Sequence, residues 1–388
     1  MTGKLLTLDR SLEETLPYLL ALLGDAESTA QLAPMDPPLR RRRTFEAITR
    51  VLLRESLNQP LLLLVEDLHW LDSETDAWLH LLSERVPTAS ILLLVNYRPE
   101  YQHAWGSRTY YTQLRLDPLG EAEAHDLLSV LLGDGPGLRP LTELILGKTE
   151  GNPFFMEEIV QSLVDQGVLR RDPAGGMQLA APVTSSALAA LQLPPTVRGV
   201  LAARIDRLPA DVKTLLQTLA VLGKEFAWSL LAAVANQPDE DVQRLLAHLQ
   251  AEEFIYEHPA FPEPEYTFKH ALTQEVAYNS VLLERRRVVH ERAAQAIEEL
   301  FPERLLEHYN ELAHHYSRSS NTAKAVDYLH RAGQQAVERS AYAEASGHLT
   351  TALDLLATLP ENRAQPAGAG CADGPRPGVE GDQGRWWP

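Results

Sequence analysis

The sequence predicts an α/β segment built on a parallel sheet, followed by all-α domains. Three observations carry that prediction. Two unbroken apolar runs, Leu61 to Val65 and Ile91 to Val95, flank a stretch with helical spacing. Beyond Val95 the strand patterns give way to helical periodicity. Between residues 190 and 285, helical stretches precede two short runs rich in aromatic and β-branched residues.

The apolar runs do not alternate with polar residues, the pattern of strands buried on both faces of a parallel sheet. Between them Asp72 and Ser73 can cap a helix carrying Trp78, Leu81 and Leu82. Strand, helix, strand is a βαβ unit, so the two strands should lie parallel. Upstream, Leu16 to Leu23 reads as a helix, and Phe45, Ile48, Val51 and Leu52 share one helical face. Helices are then expected over Glu121–Leu132, Leu138–Lys148 and Pro153–Gln166. Asn152 supplies a cap, Pro153 a first helical residue, and Gly167 a left-handed stop. Asp172 to Gly176 reads as a turn, and Ala181 to Pro195 as a linker. Helices over Val197–Leu208, Ala210–Leu222 and Asp239–Glu252 lead into strands at Phe254–Tyr256 and Tyr266–Phe268, separated by a Pro-rich loop. Three helices and a β-hairpin describe a winged helix. From Leu283 to Leu359 the pattern is helical throughout, with Ala323–Ser340 and Ala343–Leu356 able to pair as a repeat. The expected domains are residues 1–115 (α/β core), 116–180 (helical lid), 190–285 (winged helix), 286–360 (helical repeat) and 361–388. The last of these is rich in Gly, Pro and charge and reads as a disordered tail.

Composition narrows the function classes. The chain has 388 residues, room for two or three domains at roughly 100–200 residues each. Lys and Arg number 35 against 53 Asp and Glu, a formal charge of −18. Such a surface repels phosphate backbones and anionic membranes and argues against non-specific nucleic-acid binding. The acidic Glu257, Glu263 and Glu265 argue against a DNA-contacting wing. The basic runs Arg40–Arg43 and Arg285–Arg287 abut helices and read as solvated faces or ion-pair partners. A single cysteine, Cys371, fits a reducing compartment, and the sequence shows no apolar span of the ~18 residues a bilayer needs. The expectation is a cytoplasmic protein.

The segment with the sharpest chemical content is LLLLVEDLHWLD, Leu61 to Asp72. A strand ends in adjacent carboxylates, Glu66 and Asp67, at the sheet edge where α/β proteins bind ligands. Phosphoryl-transfer sites use one carboxylate to hold Mg²⁺ and another to orient water. A strand end with two solvated acids would read the same way. The segment resembles the Walker B motif of signal-transduction ATPases with numerous domains, a branch of the P-loop ATPases related to the AAA class. More narrowly, the ordered motifs TGKLLTLD, RRRRTFEAI, LNQPLLLLVEDLHWLDSET, LLLVNYRPEY, GNPFFMEEIV and YTFKHALTQEVAY resemble the ATPase region of bacterial adenylate and guanylate cyclases and related regulators. In that family the ATPase is joined to a winged helix and tetratricopeptide repeats, and the resemblance spans roughly Thr2 to Pro360.

The resemblance implies roles. Glu66, commonly Asp in the family, would hold the metal, and Asp67 would be the catalytic base. Asn96 and Arg98 resemble the sensor segment beside the γ-phosphate. Gly151 and Pro153 resemble the lid element that packs on adenine, although capping alone accounts for these residues as well. His270 resembles the winged-helix histidine that contacts the β-phosphate; a helix-capping or partly buried histidine is the competing account. The implied ligands are ATP or ADP with Mg²⁺, and the implied partner is an effector, such as a cyclase or a transcription regulator, reached through the helical repeats.

One motif is missing. A Walker A loop, G-x-x-x-x-G-K followed by Ser or Thr, cradles phosphate with its amides and neutralises it with Lys. Gly3-Lys4 has no upstream loop, and Gly147-Lys-Thr149 ends a helix rather than opening one after a strand. Charge-assisted hydrogen bonds contribute about 1.5–3 kcal/mol each. Losing three lowers affinity by roughly three to six powers of ten. The expectation is a family member truncated at its N-terminus, a nucleotide-switch module that binds ATP weakly or not at all by itself. The rival readings are an interaction module with a dead nucleotide site and a winged-helix DNA binder.

Overall fold

In a computed structural model the described residues are 2–133, 135, 137–171, 177–180, 193–260, 263–339 and 341–358. The expectations for the turn 172–176, most of the linker 181–195 and the tail 361–388 fall outside them.

The N-terminal segment is helical: α1 (Thr2–Leu8), α2 (Leu16–Leu22), α3 (Ala26–Leu32) and α4 (Pro37–Glu55). Asp25 caps α3 by accepting the Ser28 amide at 2.8 Å. Leu5, Leu12, Leu19 and Ala47 bury together as a small core of this segment. Three of the four arginines at the start of α4 pair with acids, as expected of an ion-paired face. Arg41 pairs with Glu74, and Arg42 and Arg43 with Glu46.

Strands β1 (Leu61–Val65) and β2 (Ile91–Val95) pair in parallel, Leu61 opposite Ile91 and Val65 opposite Val95. Helix α5 (Ser73–Arg85) joins them, its amides at Glu74 and Thr75 capped by the Asp72 carboxylate. Their burial corrects the expectation of strands covered on both faces. Leu63, Val65, Leu93 and Val95 pack toward Leu68, Leu79, Leu82 and Trp105. Leu62, Leu64, Leu92 and Leu94 on the other face are 47–63% exposed. The reason is that side chains alternate across a strand, and the described helices cover only one side.

Helices α6 (Glu121–Leu132), α7 (Arg139–Thr149) and α8 (Pro153–Asp165) form a separate core around Leu128, Ile145, Met156 and Leu163. The short pair β3 (Leu169–Arg171) and β4 (Met177–Leu179) runs antiparallel after it. The next unit holds α9 (Val197–Arg207), α10 (Ala210–Leu222), α11 (Trp228–Ala235) and α12 (Asp239–Ala251). Its sheet has three strands in the order β5-β7-β6, formed by Glu225–Ala227, Glu265–Phe268 and Ile255–His258. The sequence pattern predicts three helices and two strands here and does not announce β5 or α11. Both are short, and α11 is held from afar: Glu263 accepts the Ser229 amide and hydroxyl, each at 2.7 Å.

Helices α13 (Ala271–Asn279), α14 (Leu283–Leu300), α15 (Tyr309–Ser317), α16 (Thr322–Glu338) and α17 (Tyr342–Thr358) complete the described chain. Helix does not run unbroken from Leu283. It stops at Leu300, ahead of Pro302, which has no amide hydrogen to continue the ladder. α16 and α17 pack closely because residue 333 is glycine; a β-carbon there would lie 2.9 Å from Leu349 Cγ. Glu298 on α14 accepts hydroxyls from Tyr316 at 2.7 Å and Tyr328 at 2.6 Å, tying three helices together. A continuous core runs from Leu201 on α9 to Ala352 on α17. Among the described residues no helix is long and apolar enough to cross a membrane.

Candidate functional site

The structure assembles the candidate residues in two sets. The first lies at the carboxyl ends of β1 and β2. The Asn96 amide donates to the Val65 carbonyl at 3.2 Å, and the Asn96 carbonyl accepts from Leu68 at 3.0 Å. Backbone bonding between the two segments thus continues past the strands, to Asn96 after β2 and Leu68 after β1. Asn96 then uses its side chain on both acids. Its Oδ1 accepts the Asp67 amide at 2.7 Å, and its Nδ2 lies 3.5 Å from Glu66 Oε1. Asp67 has φ 57°, in the left-handed region, which aspartate tolerates better than most residues but at some strain. A short 3-10 turn, Leu68–Trp70, follows and drives Leu68 into the core.

Arg98 does not join the carboxylates. It is exposed, and its guanidinium carbon sits 5.4 Å from the Trp70 ring centroid. His69 packs against Trp70 with ring centroids 4.7 Å apart, and both its ring nitrogens are buried without a hydrogen-bond partner among the described residues. Beyond β2 an aromatic group closes the loop. Tyr97 and Tyr111 hydroxyls meet at 2.6 Å, and the Tyr97 hydroxyl lies 2.8 Å from His103 Nε2. Burial, reinforced by the bond to Tyr97, pushes the Tyr111 hydroxyl up to about 12.

The second set joins the start of α8 to the unit after it. Asn152 Oδ1 accepts the Phe155 amide at 2.9 Å, with Pro153 as the first residue of α8, the capping arrangement the sequence implied. Gly151 has φ +79°, and a β-carbon there would lie 2.3 Å from the Leu119 carbonyl oxygen. Both the backbone conformation and the close approach of residue 119 therefore require glycine. Gly151 also borders a cavity of about 400 Å³ lined by Leu119, Ala124, His125, Glu143 and Leu146.

His270 precedes α13 and stacks on Phe154, with ring centroids 3.9 Å apart and planes inclined 27°. Burial holds its pKa below the ordinary histidine value, with Glu158 and Glu157 partly opposing. It is thus a neutral imidazole at neutral pH. It makes no side-chain cap to α13, so the capping account of this histidine does not hold.

Sequence reading missed the lock beneath this second set. Arg204 on α9 is 2% exposed. It donates to Glu158 at 2.6 Å, to Asp165 at 2.9 Å and to the Glu252 carbonyl at 2.7 Å, and lies over the Phe254 ring. Its partners are far apart in sequence, so no local spacing announces them.

No known family profile matches the chain. An uncharacterized protein of Rhizobium meliloti is 27% identical over 360 residues, covering 91% of this chain and 33% of that protein. Among solved structures, a signal transduction ATPase with numerous domains (STAND) carrying a tetratricopeptide repeat sensor, from Pyrococcus horikoshii, is similar at a TM-score of 0.46 and 14% identity. That alignment covers 81% of this chain and 45% of the archaeal one. The chain thus spans about a third of the length of its curated relative.

Proposed function

We propose that the chain is a regulatory module of a signalling ATPase, carrying the Walker B and sensor elements of a nucleotide switch together with a lid, a winged helix and the start of a tetratricopeptide-type repeat. The observation that carries this reading is Asn96, whose one side chain engages the Asp67 amide and the Glu66 carboxylate at the ends of adjacent parallel strands. Two adjacent carboxylates, Glu66 exposed and Asp67 half-buried, offer the oxygen donors that suit a hard cation such as Mg²⁺. Glu66 would hold that ion, and Asp67 would orient the attacking water. Asn96 holds the Asp67 backbone and lies beside the Glu66 carboxylate. Gly151, Pro153 and His270 would meet the base and phosphates from the lid side, His270 as a neutral donor. Arg98, stacked on Trp70, would have to leave that ring to reach phosphate. The repeat helices would carry the state of the switch to an effector, such as a nucleotide cyclase or a transcription regulator.

These 388 residues hold no Walker A loop, so the phosphate-binding amides must be supplied from outside them. Calorimetry with Mg-ATP tests the reading in two arms. The chain as given is expected to bind in the millimolar range or weaker, and a micromolar dissociation constant contradicts this. Fused behind a strand–loop–helix segment that bears a Walker A sequence, it is expected to bind and slowly hydrolyse ATP. Asp67→Asn should then remove turnover and leave binding. A fusion that binds no nucleotide overturns the proposal in favour of an interaction module.

A further inference from the structure

Helices α14 and α15 carry three histidines that converge on one point, away from the residues discussed above. His290 and His315 are 0% and 1% exposed, and their Nδ1 atoms lie 2.9 Å apart. His314, the preceding residue on α15, is exposed. The ring centroids are 5.1 Å apart for His290 and His315, 5.3 Å for His314 and His315, and 5.8 Å for His290 and His314. One ligand nitrogen from each falls within 4.8 Å of the other two.

Two imidazole nitrogens in contact require that one carry a proton and the other offer a lone pair. With the third imidazole at its mouth, this buried pair can take up a cation by shifting that one proton. The proton between the Nδ1 atoms moves to the far nitrogen of its own ring, and both lone pairs then face inward.

We propose that His290, His314 and His315 form a three-histidine site for a divalent transition-metal ion of the zinc class. Imidazole is the donor such borderline ions prefer. Tetrahedral Zn–N bonds of about 2.0–2.1 Å place ligand nitrogens roughly 3.3 Å apart and ring centroids roughly 5.2 Å apart. The observed centroid separations bracket that value, so the buried pair need open by only a few tenths of an ångström. His290 Nε2 lies 3.1 Å from the Tyr278 hydroxyl. That contact is the outer hydrogen bond which orients a ligating histidine and directs its other nitrogen to the ion. The exposure of His314 supplies an entry route and leaves the fourth position to water.

Two cations oppose binding. Arg286 lies over the Tyr278 ring and donates to the Tyr278 and Val281 carbonyls, and Arg318 donates to the His314 carbonyl. Their charge is expected to weaken the affinity. A bound ion would tie α14, which packs into the core of the preceding unit, to α15, where the repeat helices begin. This does not depend on the nucleotide reading.

The test uses the full chain with Cys371→Ser, which removes its single thiol, after treatment with a chelator. Zn²⁺ binding is followed by calorimetry and Co²⁺ binding by visible absorption. One ion per chain is expected, with the intense bands of tetrahedral cobalt. His314→Ala removes an exposed side chain, so the metal-free unfolding temperature should stay the same while Zn²⁺ affinity falls at least tenfold. Tyr278→Phe should weaken binding by about tenfold through the outer contact. Equal Zn²⁺ affinity in the parent and His314→Ala, an octahedral cobalt spectrum, or no stoichiometric binding at millimolar Zn²⁺ would each overturn the proposal.

Discussion

The α/β unit and the helical unit that ends the chain are built to different standards of closure. Around β1 and β2 the fully buried set is small: Leu68, Leu79, Leu82 and Trp105, with four leucines open on the opposite sheet face. From α9 to α17 one apolar core is continuous, with Leu216, Leu219, Leu231, Leu249 and Leu312 all at 0% exposure. In the looser unit Glu66 and Asn96 are exposed and Asp67 is strained, whereas His290 and His315 of the helical unit are buried. Buried apolar area supplies about 25 cal/mol per Å², so stability concentrates in the helical unit. Substitutions in the two units test this contrast.

The largest effect is expected at the joint between α8 and α9. Arg204→Met keeps the bulk of the side chain and leaves the Glu158 carboxylate, 2% exposed, without its partner. Removing one member of a buried ion pair costs about 3–5 kcal/mol. Urea unfolding should show that loss, and a change below about 1 kcal/mol would mean that water reaches Glu158 in solution. Next in size, Leu249→Ala, at a fully buried site, should cost about 2–5 kcal/mol. Leu64→Ala, 57% exposed on the open sheet face, should cost less than about 1 kcal/mol. Similar losses for the two would show that the sheet face is covered in solution.

The same contrast marks what the sequence could disclose. The bounds of β1, β2, α6 and α10 could be read directly, because apolar runs, Gly stops and Asp or Pro starts are local signals. Asn152 and Asp72 were legible as caps for the same reason. The open sheet face was not legible, since an apolar run does not say what lies above it. Glu66, Asp67 and Asn96 were legible as strand-end residues, but the bond from the Asp67 amide to Asn96 depends on a left-handed turn at a non-glycine residue. The stack of His270 on Phe154, the ion pairs of Arg204 and the meeting of His290 with His315 join residues from separate helices. Only tertiary packing reveals them.

Asp67 offers a smaller and more local test within the α/β unit. Its φ of 57° suits glycine and disfavours a β-branched or alanine side chain. Asp67→Ala should destabilise by about 1 kcal/mol. Asp67→Gly should be neutral within about 0.5 kcal/mol, because relief of strain offsets the added freedom of the unfolded chain. Thermal unfolding of the pair separates backbone strain from side-chain chemistry, and equal losses would place the strain account in error.

The smallest effect is expected at Glu252, beside the Arg204 lock. Burial and the neighbouring Asp165 raise its carboxyl above the usual glutamate range, with Arg204 only partly opposing. The folded chain therefore holds this proton more tightly than the unfolded chain does. By linkage, the group favours folding while it is protonated, and that contribution is lost as pH rises through the folded pKa. At neutral pH the ionised carboxylate sits against Asp165 at some cost, discounted because the side chain remains partly in water. Glu252→Gln keeps the shape and removes the charge. Unfolding temperatures measured from mildly acid to neutral pH should show the variant gaining on the parent as pH increases, by a few tenths of a kcal/mol at most. A variant that loses ground over that range would mean that Arg204, not Asp165, dominates the field at Glu252.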